Sequence, residues 1–503
     1  MSSPFVRFHH VHFSHPSSAA PLLADLNLHF GPGWSGVVGA NGCGKTTLLR
    51  LATGGIAPDA GTVEAPPRVA YCSQRTDDPP DDLAAFLADP GRSAARLRDQ
   101  LGIDDDWDAR WDTLSHGERK RAQIAVALWT DPDVLAVDEP TNHLDTDARA
   151  LLAAALDGFR KVGLLVSHDR ALLDHLCVQC VFLEPPQAVA RPGGYTAGTQ
   201  TAAHERATVL DQLEQDRRAL KKTRKEAARR EVLAAGADRR RSKRGLMPRD
   251  HDARDRIDRA RVSGKDGVGG RLQAQLDARL ERQQQVIAAV DVRREHTLGV
   301  AFCGELARRD HLVRLPAGVM PLGPDAVLAH PELVLRPADR VALTGRNGAG
   351  KSTLLRHLVA HLELPADRVV LLPQEVEAAD AARLLQEVLA LGPEALGHLM
   401  TLVSRLGSRP QRLLATVLPS PGETRKLQLA AGLLRAPHLI LMDEPTNHMD
   451  LPSVEALEDA LSEVRCALLL VSHDLRFLSR LTTIAWRIAP DPARPGSYQL
   501  HVE

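Results

Sequence analysis

The sequence predicts an α/β protein in which two phosphate-loop domains are joined by a long, charged helical linker. Its 503 residues exceed what one hydrophobic core usually organises, so more than one domain is expected. Two further observations support this division: a set of motifs occurs twice, and a polar stretch separates the two sets. We therefore predict a first domain at 1–197, a helical arm at 198–293 and a second domain at 294–503.

The motifs of the first domain return in the second at a nearly constant displacement. GANGCGKTTLLR begins at Gly39 and GRNGAGKSTLLR at Gly345, while VLAVDEPTNHLD begins at Val134 and LILMDEPTNHMD at Leu439. The lysines of the first motif are 306 residues apart, and the first acids of the second motif are 305 apart. Repeats that build solenoids are about 20–50 residues long, so this displacement indicates the duplication of a whole domain.

Each copy contains G-x-x-x-x-G-K-[ST] between an apolar run and a helical run, which is the pattern of a phosphate loop. Its glycines let backbone N–H groups close around phosphate oxygens at a helix N-terminus. Its lysine reaches the outer phosphates, and the following hydroxyl is a ligand for Mg²⁺. The residues of the two loops that are predicted to bind a nucleotide are Gly39, Asn41, Gly42, Gly44, Lys45, Thr46 and Thr47, and Gly345, Asn347, Gly348, Gly350, Lys351, Ser352 and Thr353.

Two acids end each of the apolar runs VLAVDE and LILMDE, which have the composition of buried parallel strands. The acid pair follows the loop lysine by 93 residues in one copy and 92 in the other, which argues against two unrelated solvated carboxylates. The first acid is expected to hold the metal, and the second to orient or deprotonate an attacking water. The predicted metal ligands are Thr46, Asp138, Ser352 and Asp443, and the predicted catalytic acids are Glu139 and Glu444.

Glutamine and histidine also end strand-like runs in both copies. Gln74 and Gln374 close RVAYCSQ and RVVLLPQ, and His168 and His473 close GLLVSH and ALLLVSH. A single residue of either type would ordinarily be structural. Because all four recur in the same order, we predict that the glutamines sense the metal or water and that the histidines contact the γ-phosphate.

LSHGERKRAQIA, from Leu114, and PSPGETRKLQLA, from Pro419, each contain S-x-x-E before a helical run, which is a capping box. The same serine and glycine can also present a hydroxyl and a backbone N–H to a phosphate that arrives from outside. The predicted phosphate-binding residues of these two segments are Ser115, Gly117 and Glu118, and Ser420, Gly422 and Glu423.

The order of phosphate loop, glutamine, S-x-G-E segment, acid pair and histidine resembles the ATP-binding cassette superfamily, and it occurs twice. The resemblance implies an ATPase that uses ATP and Mg²⁺, with two cassettes paired head to tail. Each ATP would then lie between the phosphate loop of one cassette and the S-x-G-E signature of the other. The usual adenine-binding aromatic is missing; His15 is a candidate replacement in the first cassette, and the second has none.

EPTNHLD and EPTNHMD, together with the charged linker, are similar to the ABC-F family of soluble twin-cassette proteins that act on ribosomes. No run approaches the roughly 18–20 apolar residues that cross a bilayer, and the N-terminus is not a signal peptide. The resemblance implies a cytoplasmic monomer with intramolecular cassette pairing, acting as a translation factor or as an antibiotic-resistance factor. The alternatives are a DNA-associated or regulatory twin cassette and, last, the ATPase subunit of a transporter.

The arm is the most basic part of the chain. From Thr201 to Arg282 it contains 23 Lys and Arg against 14 Asp and Glu and no Phe, Tyr or Trp, whereas the whole chain has a net charge of −1. We predict a helix over 201–241, a turn at Ser242–Asp250, and a returning helix that is broken at Ser263–Gly270. Leu272, Leu276 and Leu280 would pack on Val209, Leu213 and Leu220.

A solvated spacer is one interpretation of this arm, and a polyanion-binding hairpin is the other. The basic faces without aromatics favour contact with the phosphates of ribosomal RNA over base stacking. The ABC-F resemblance implies that the arm enters the tRNA exit site. The tip residues that would contact RNA, tRNA or a bound drug are Lys243, Arg244, Leu246, Met247 and Arg249.

Six scattered cysteines suit a reducing compartment better than a disulfide framework. Cys177 and Cys180 form a C-x-x-C with apolar flanks and no second pair, so we predict packed core thiols instead of a zinc site. Cys43 lies inside the first phosphate loop, and its alkylation is expected to block the first ATP site.

Overall fold

The structure is a computed structural model that describes residues 3–16, 20–142, 144–241, 266–289, 302, 304–323, 326–374, 376–408, 410–415, 419–447, 449–494 and 496–503. The chain divides into two compact units. One comprises Met1–Gly198 and Thr297–Glu503, and the other comprises Thr199–His296. Both predicted cassettes therefore belong to a single unit, and the arm forms a unit of its own.

The first cassette contains a strand-rich layer and a helical layer around the predicted phosphate loop. Its strands are β1 Val6–Phe13, β2 Leu23–Phe30, β3 Gly33–Gly39, β4 Ala60–Glu64, β5 Val69–Cys72, β6 Val134–Asp138, β7 Val162–Val166, β8 Cys177–Glu184 and β9 Gln187–Pro192. Its helices are α1 Lys45–Ala52, α2 Leu83–Ala88, α3 Arg92–Leu101, α4 His116–Trp129, α5 Thr146–Asp157 and α6 Arg170–Leu176, with a 3₁₀ turn at Trp111–Thr113.

The main sheet of the first cassette has the order β5-β6-β7-β3-β8-β9. All neighbours are parallel except β8 and β9. Strands β6 and β7 are buried at every position, which explains why their sequences are continuously apolar instead of alternating. Because parallel strands share a carboxyl edge, the loops that follow β3, β6 and β7 meet there.

The arm and the second cassette supply the remaining elements. The arm contains α7 Tyr195–Arg241 and α8 Asp266–Ala289. The strands of the second cassette are β10 Val313–Leu315, β11 Gly318–Pro321, β12 Val327–His330, β13 Leu333–Leu335, β14 Arg340–Gly345, β15 Val369–Leu372, β16 Leu439–Asp443, β17 Ala467–Val471, β18 Ile484–Pro490 and β19 Tyr498–Val502. Its helices are α9 Lys351–Ala360, α10 Ala378–Leu389, α11 Pro393–Arg405, α12 Pro410–Ala415, α13 Pro421–Leu433, α14 Leu451–Glu463 and α15 Leu475–Leu481, with a 3₁₀ turn at Ala366–Arg368.

The second cassette repeats the strand order of the first. Its sheet runs β11-β12-β19-β18-β14-β17-β16-β15, so the segment β15-β16-β17-β14-β18-β19 matches the whole first sheet strand for strand. Strands β16 and β17 are again buried throughout. The duplication predicted from the motifs is thus a duplication of topology, and it places both sets of motifs at equivalent sheet edges.

The arm differs from its prediction in one respect. Helix α8 begins at Asp266 and includes Gly267, Gly269 and Gly270, so the predicted break at Ser263–Gly270 is wrong for residues 266–270. Glycine costs about 1 kcal/mol per residue in a helix relative to alanine, and this did not end α8. Helix α7 likewise continues through Gly236, and its 47 residues correspond to roughly 70 Å.

Burial along the predicted leucine seam of the arm is uneven, and the packing of its two sides on each other stays a prediction. Leu213 is buried, and Leu220, Leu276 and Leu280 are half-buried, whereas Val209 is 45% exposed. The side chain of Leu272, the turn at 242–250 and the segment 251–265 lie outside the described residues. Within the described part of the chain, no helix is apolar and long enough to cross a membrane.

Candidate functional site: two nucleotide sites at equivalent sheet edges

Each phosphate loop connects the central strand of its sheet to the following helix, β3 to α1 and β14 to α9. Gly44 and Gly350, directly before the helices, have φ angles of 101° and 94°. Gly42 and Gly348 have φ angles of 74° and 77°, and a Cβ at either would have no atom within 4 Å. Left-handed backbone favours glycine, so these loops curve around open space at a helix N-terminus and form an anion cradle.

The two loop lysines are buried and turned over their own loops. Lys45 Nζ donates to the carbonyl oxygens of Gly39, at 2.9 Å, and Ala40, at 3.3 Å. Lys351 Nζ donates to the equivalent oxygen of Gly345 at 2.7 Å. The ammonium groups therefore lie over the cradles, where a phosphate can replace their carbonyl partners.

The predicted metal ligands are paired in both cassettes. Thr46 Oγ1 donates to Asp138 Oδ2 at 2.7 Å, and Ser352 Oγ donates to Asp443 Oδ2 at 2.6 Å. In the first cassette Tyr71 Oη also donates to Asp138 Oδ2, at 3.3 Å, a contact that the sequence did not predict. A hydroxyl and a carboxylate oxygen are the hard ligands that Mg²⁺ prefers when phosphates complete its shell.

Glu139 and Glu444 are held in an unusual backbone conformation, with φ angles of 47° and 48°. Both side chains are buried, and the Oε1 atom of each has no hydrogen-bond partner. Burial raises the pKa of Glu139 to about 7 and that of Glu444 to about 7. Strained backbone, an unsatisfied oxygen and a pKa near neutrality at the same position in both cassettes are features of a general base.

The two histidines lie against these glutamates. His168 Nε2 is 3.0 Å from Glu139 Oε1, and His473 Nε2 is 3.4 Å from Glu444 Oε1, both without hydrogen-bond geometry. His473 Nε2 is also 3.2 Å from Lys351 Nζ. Burial lowers the pKa of His168 to about 3 and that of His473 to about 3, so both imidazoles are neutral near pH 7.

Gln74 and Gln374 reach the same edges. Gln74 lines an open cavity together with Thr46 and Asp138, and Gln374 lines one together with Ser352 and Asp443. The structure thus places both glutamines beside the predicted metal ligands.

Helices α4 and α13, which follow the S-x-G-E signatures, each carry a buried cation that bonds backbone carbonyls of the site. The sequence analysis did not identify either cation. Lys120 Nζ donates to the carbonyls of Ser73, at 2.5 Å, and Asp138, at 3.1 Å. Arg425, 305 residues later, donates to the carbonyl of Glu444 at 3.1 Å. Their matching positions in LSHGERK and PSPGETR could have revealed them, because a buried cation repeated at one register must have fixed partners.

The capping boxes are present as predicted. Ser115 caps the N-terminus of α4, and Ser420 caps that of α13. In each, the serine hydroxyl accepts from the backbone N–H of the glutamate at the third helical position, and that glutamate's carboxylate accepts from the serine N–H. The signature residues do not line the cavities beside the phosphate loops within the described chain. The side chain of Leu144 separates Gly117 from the second site. Leu144 lines the cavity of that site, and a Cβ at position 117 would lie 2.8 Å from it. The phosphate-binding role of Ser115, Gly117, Glu118, Ser420, Gly422 and Glu423 stays a prediction.

The cassettes contact each other through the aspartates that end the two NHLD and NHMD motifs. Asn41 N donates to Asp450 Oδ2 at 2.7 Å, and Asn347 N donates to Asp145 Oδ2 at 3.3 Å. Each phosphate loop therefore has a carboxylate of the other cassette on its backbone. The arrangement is head to tail, and these two aspartates were missed although they recur 305 residues apart.

The cavity of the second site measures about 340 Å³ and combines residues of both cassettes. Leu144 and Arg149 come from the first cassette, and the rest of the wall, from the second cassette, includes its phosphate loop, its acid pair and His473. The residues present fit a nucleoside triphosphate with Mg²⁺. The anion cradle, the lysine ammonium, the paired hydroxyl and carboxylate oxygens and the unsatisfied glutamate oxygen all lie at one edge of the sheet. His143 and His448 of the NHLD and NHMD motifs lie outside the described residues.

Comparisons with known proteins agree with this geometry. A family model described as ABC transporter matches residues 23–142 and 328–405. The tylosin resistance ATP-binding protein TlrC of Streptomyces fradiae is 32% identical over 537 residues, covering 92% of this chain and 93% of that protein. The ribosome protection protein VmlR of Bacillus subtilis is 27% identical over 468 residues, covering 89% of this chain and 80% of that protein.

Among solved structures, the archaeal ribosome recycling factor aABCE1, in its complex with the ribosomal stalk protein aP1, aligns with a TM-score of 0.60. The alignment covers 97% of this chain and 89% of that one at 19% identity. At this identity the likeness concerns the fold alone, and it extends over both cassettes.

Proposed function

The chain belongs to the ABC-F family of ATP-binding cassette ATPases, and from that premise we propose that it binds the ribosome and acts in translation. The observation that carries the proposal is the basic arm, which joins two cassettes whose combined charge is acidic. TlrC and VmlR, which align along most of this chain, are named for antibiotic resistance and ribosome protection. Ribosomal RNA is a polyanion whose backbone a basic, aromatic-free helix can follow.

The described part of the arm supports a phosphate contact. Lys221, Lys222, Arg224 and Lys225 are exposed on α7, while Thr223 between them is buried. Four cations in five residues thus project from a helix that buries only a narrow face. Such a helix gains affinity from released counterions without reading bases, so its binding depends strongly on salt.

We propose the following roles for the site residues. Glu139 and Glu444 accept the proton of the attacking water, because a carboxyl with a pKa near 7 is half ionised at neutral pH and can take up a proton. The backbone N–H groups of His168 and His473 donate to the two carboxylates and keep them in place, and the neutral imidazoles face the γ-phosphate. Lys45 and Lys351 bind the outer phosphates. Magnesium, held by the Thr46–Asp138 and Ser352–Asp443 pairs, would neutralise phosphate charge.

Cassette pairing couples this chemistry to the arm. The carboxylates of Asp145 and Asp450 accept backbone N–H groups of the opposite phosphate loops. A rearrangement of either loop therefore alters its contact with the other cassette. We propose that ATP favours the paired form and that hydrolysis releases it, a population shift between two arrangements. The first helix of the arm begins at Tyr195 in the first cassette. The affinity of the arm for RNA would therefore change when the cassettes pair or separate.

Sedimentation through a sucrose gradient tests the ribosome proposal. The Glu139→Gln, Glu444→Gln double variant should co-migrate with 70S ribosomes in ATP and remain at the top of the gradient without it. Replacing the exposed Glu387 by Gln in the wild-type chain is the matched control, and it should not trap the protein. Absence of any ATP-dependent co-migration of the double variant would refute ribosome binding, provided that the variant still binds ATP.

Deletion of Arg239–Arg249 tests whether the role of the arm is separate from that of the ATP sites. The shortened protein should bind ATP as the full chain does but should lose ribosome binding. Loss of ATP binding would contradict the proposed separation of roles.

A translation factor and an antibiotic-protection factor are the two forms that this function can take. The 32% identity to a tylosin resistance protein along 93% of its length favours the second form. Expression in a tylosin-sensitive bacterium should raise the inhibitory concentration of tylosin, and the double glutamine variant should not. Unchanged sensitivity to tylosin would leave that protection without support and return the translation factor as the better form.

A further inference from the structure

Helix α5 of the first cassette lies against the second nucleotide site, and Arg149 on its first turn points towards that site. The Arg149 side chain is 21% exposed and makes three contacts. Nε donates to the carbonyl of Leu144 at 3.0 Å, and Nη1 is 3.4 Å from Asp169 Oδ2. Nη1 also donates to the carbonyl of His473, in the second cassette, at 3.3 Å. The first two partners hold the guanidinium, and the third places it across the cassette boundary.

Arg149 also forms part of the wall of the second nucleotide cavity. It shares that wall with Lys351, Glu444 and His473, which carry the proposed chemistry. A guanidinium is always charged and presents several N–H donors in a fixed plane, so it can orient a carboxylate or an anionic phosphate group beside it. Only a paired arrangement of the cassettes brings this charge to the second site.

Among the residues that the structure describes, no equivalent arginine lies at the first nucleotide site. The position 305 residues after Arg149 is Val454 on α14, which is buried in the hydrophobic core of the second cassette. A second pair shows the same difference. At the second site, Asp147 Oδ2 lies 3.3 Å from Arg346 Nε. The corresponding positions at the first site are Pro452 and Ala40, which carry no charge. Among the contacts of the described residues, the α14 helix start offers the first site the carboxylate of Asp450.

We propose that Arg149 is a positioning residue that the first cassette supplies to the second ATP site, so that hydrolysis there depends on cassette pairing through a contact that the first site lacks. The two ATP sites are then unequal by construction. The second site is active only when α5 is docked, whereas the first can proceed without a cation from its partner. This inference rests on the ATPase activity of the paired cassettes and is independent of ribosome binding.

The physical reason is preorganised charge. Arg149 is fixed by Asp169 and Leu144 before any substrate arrives, so its contribution to the second site needs no rearrangement at the moment of reaction. Its N–H to the His473 carbonyl also holds the loop that carries this imidazole. A displacement of about 1 Å at a reacting centre can reduce turnover by about a hundredfold, so loss of this support should appear in kcat more than in KM.

Site-isolated variants of the full chain test the proposal. Glu139→Gln slows the first site and reports the second, while Glu444→Gln reports the first. Adding Arg149→Gln should lower kcat at least tenfold in the Glu139→Gln background and by no more than about twofold in the Glu444→Gln background. The half-saturating ATP concentration should change less than about threefold. Arg149→Lys, which keeps the charge but loses the fixed plane of donors, should recover only part of the lost kcat.

Arg160→Gln is the matched control. This arginine follows the same helix, its side chain is 79% exposed, and its Nη2 makes a long ion pair, 3.7 Å, with Asp157 Oδ2. It should lower kcat in neither background. Equal losses in both backgrounds for Arg149→Gln would overturn the proposal, because they would indicate a general defect in pairing. A change confined to KM, an unchanged kcat in the Glu139→Gln background, or no recovery with lysine would also overturn it. Melting temperatures of the variants, measured alongside, identify any that have failed to fold.

Discussion

Replacing the two buried glutamates by glutamine should stabilise each cassette at alkaline pH. Burial raises the pKa of Glu139 from 4.5 to about 7, and that of Glu444 likewise. A tenfold change in an ionisation constant corresponds to about 1.4 kcal/mol. Holding each carboxylate ionised in the folded state at pH 8 therefore costs on the order of 3 kcal/mol, which glutamine does not incur.

The sign follows from proton binding. Between about pH 4.5 and pH 7 the folded protein binds more protons at these positions than the unfolded chain, so their contribution to stability falls as pH rises. Below that interval the native glutamates are neutral in both states, and the glutamine variants should gain little. For a cassette of about 200 residues, 1 kcal/mol moves the melting temperature by about 2–4 °C.

Calorimetry without nucleotide or Mg²⁺ gives the required measurement. Glu139→Gln and Glu444→Gln, separately, should each melt several degrees above wild type at pH 8 and only about 2–3 °C above it at pH 5. Glu387→Gln, at an exposed site, should match wild type at both pH values. The reasoning is refuted if the gain is absent at pH 8, or if it is equally large at pH 5.

Three more outcomes follow from particular contacts. Arg170→Leu should lower the melting temperature, because buried Glu458 would keep only the Arg480 guanidinium, at 3.0 Å, as an ion-pair partner; the loss should be at most about 3–5 kcal/mol, and adding Glu458→Ala should recover part of it. Cys43 is 5% exposed and burial raises the pKa of its thiol, so maleimide should label it far more slowly than a denatured sample at pH 7.5, as mass spectrometry can check. Neutralising Lys221 and Lys222 should weaken ribosome binding in every buffer and reduce the slope of log K against log salt by about 1 per lost contact; an unchanged slope would contradict phosphate contact.

Much of the fold and site could be predicted because their signals are local. The apolar run before Gly39 and the glycines up to Gly44 specify a strand, a left-handed turn and a helix start within a dozen residues. VLAVDE places two acids at a strand end by the same short-range logic. The capping boxes at Ser115 and Ser420 also depend on residues three positions apart.

The prediction for the arm was less accurate because its signals compete. Glycines at 267, 269 and 270 indicate a break, but α8 includes them within a helix otherwise rich in good helix formers. Val209 has the spacing of a seam residue and is nevertheless 45% exposed. Helical spacing identifies a face, but burial depends on what packs against it.

The sequence by itself determined the two cassettes, the strand-end acids, the phosphate loops and the charge of the arm, since each is encoded in neighbouring residues. Only the tertiary structure decided the left-handed backbone of Glu139, the buried cation Lys120, and the contacts of Asp145 and Arg149 with the opposite cassette. The physical reason is that these features depend on how two sheets and their helices are oriented. A repeated register can mark such a residue in the sequence, but the partner that it meets is decided only by packing.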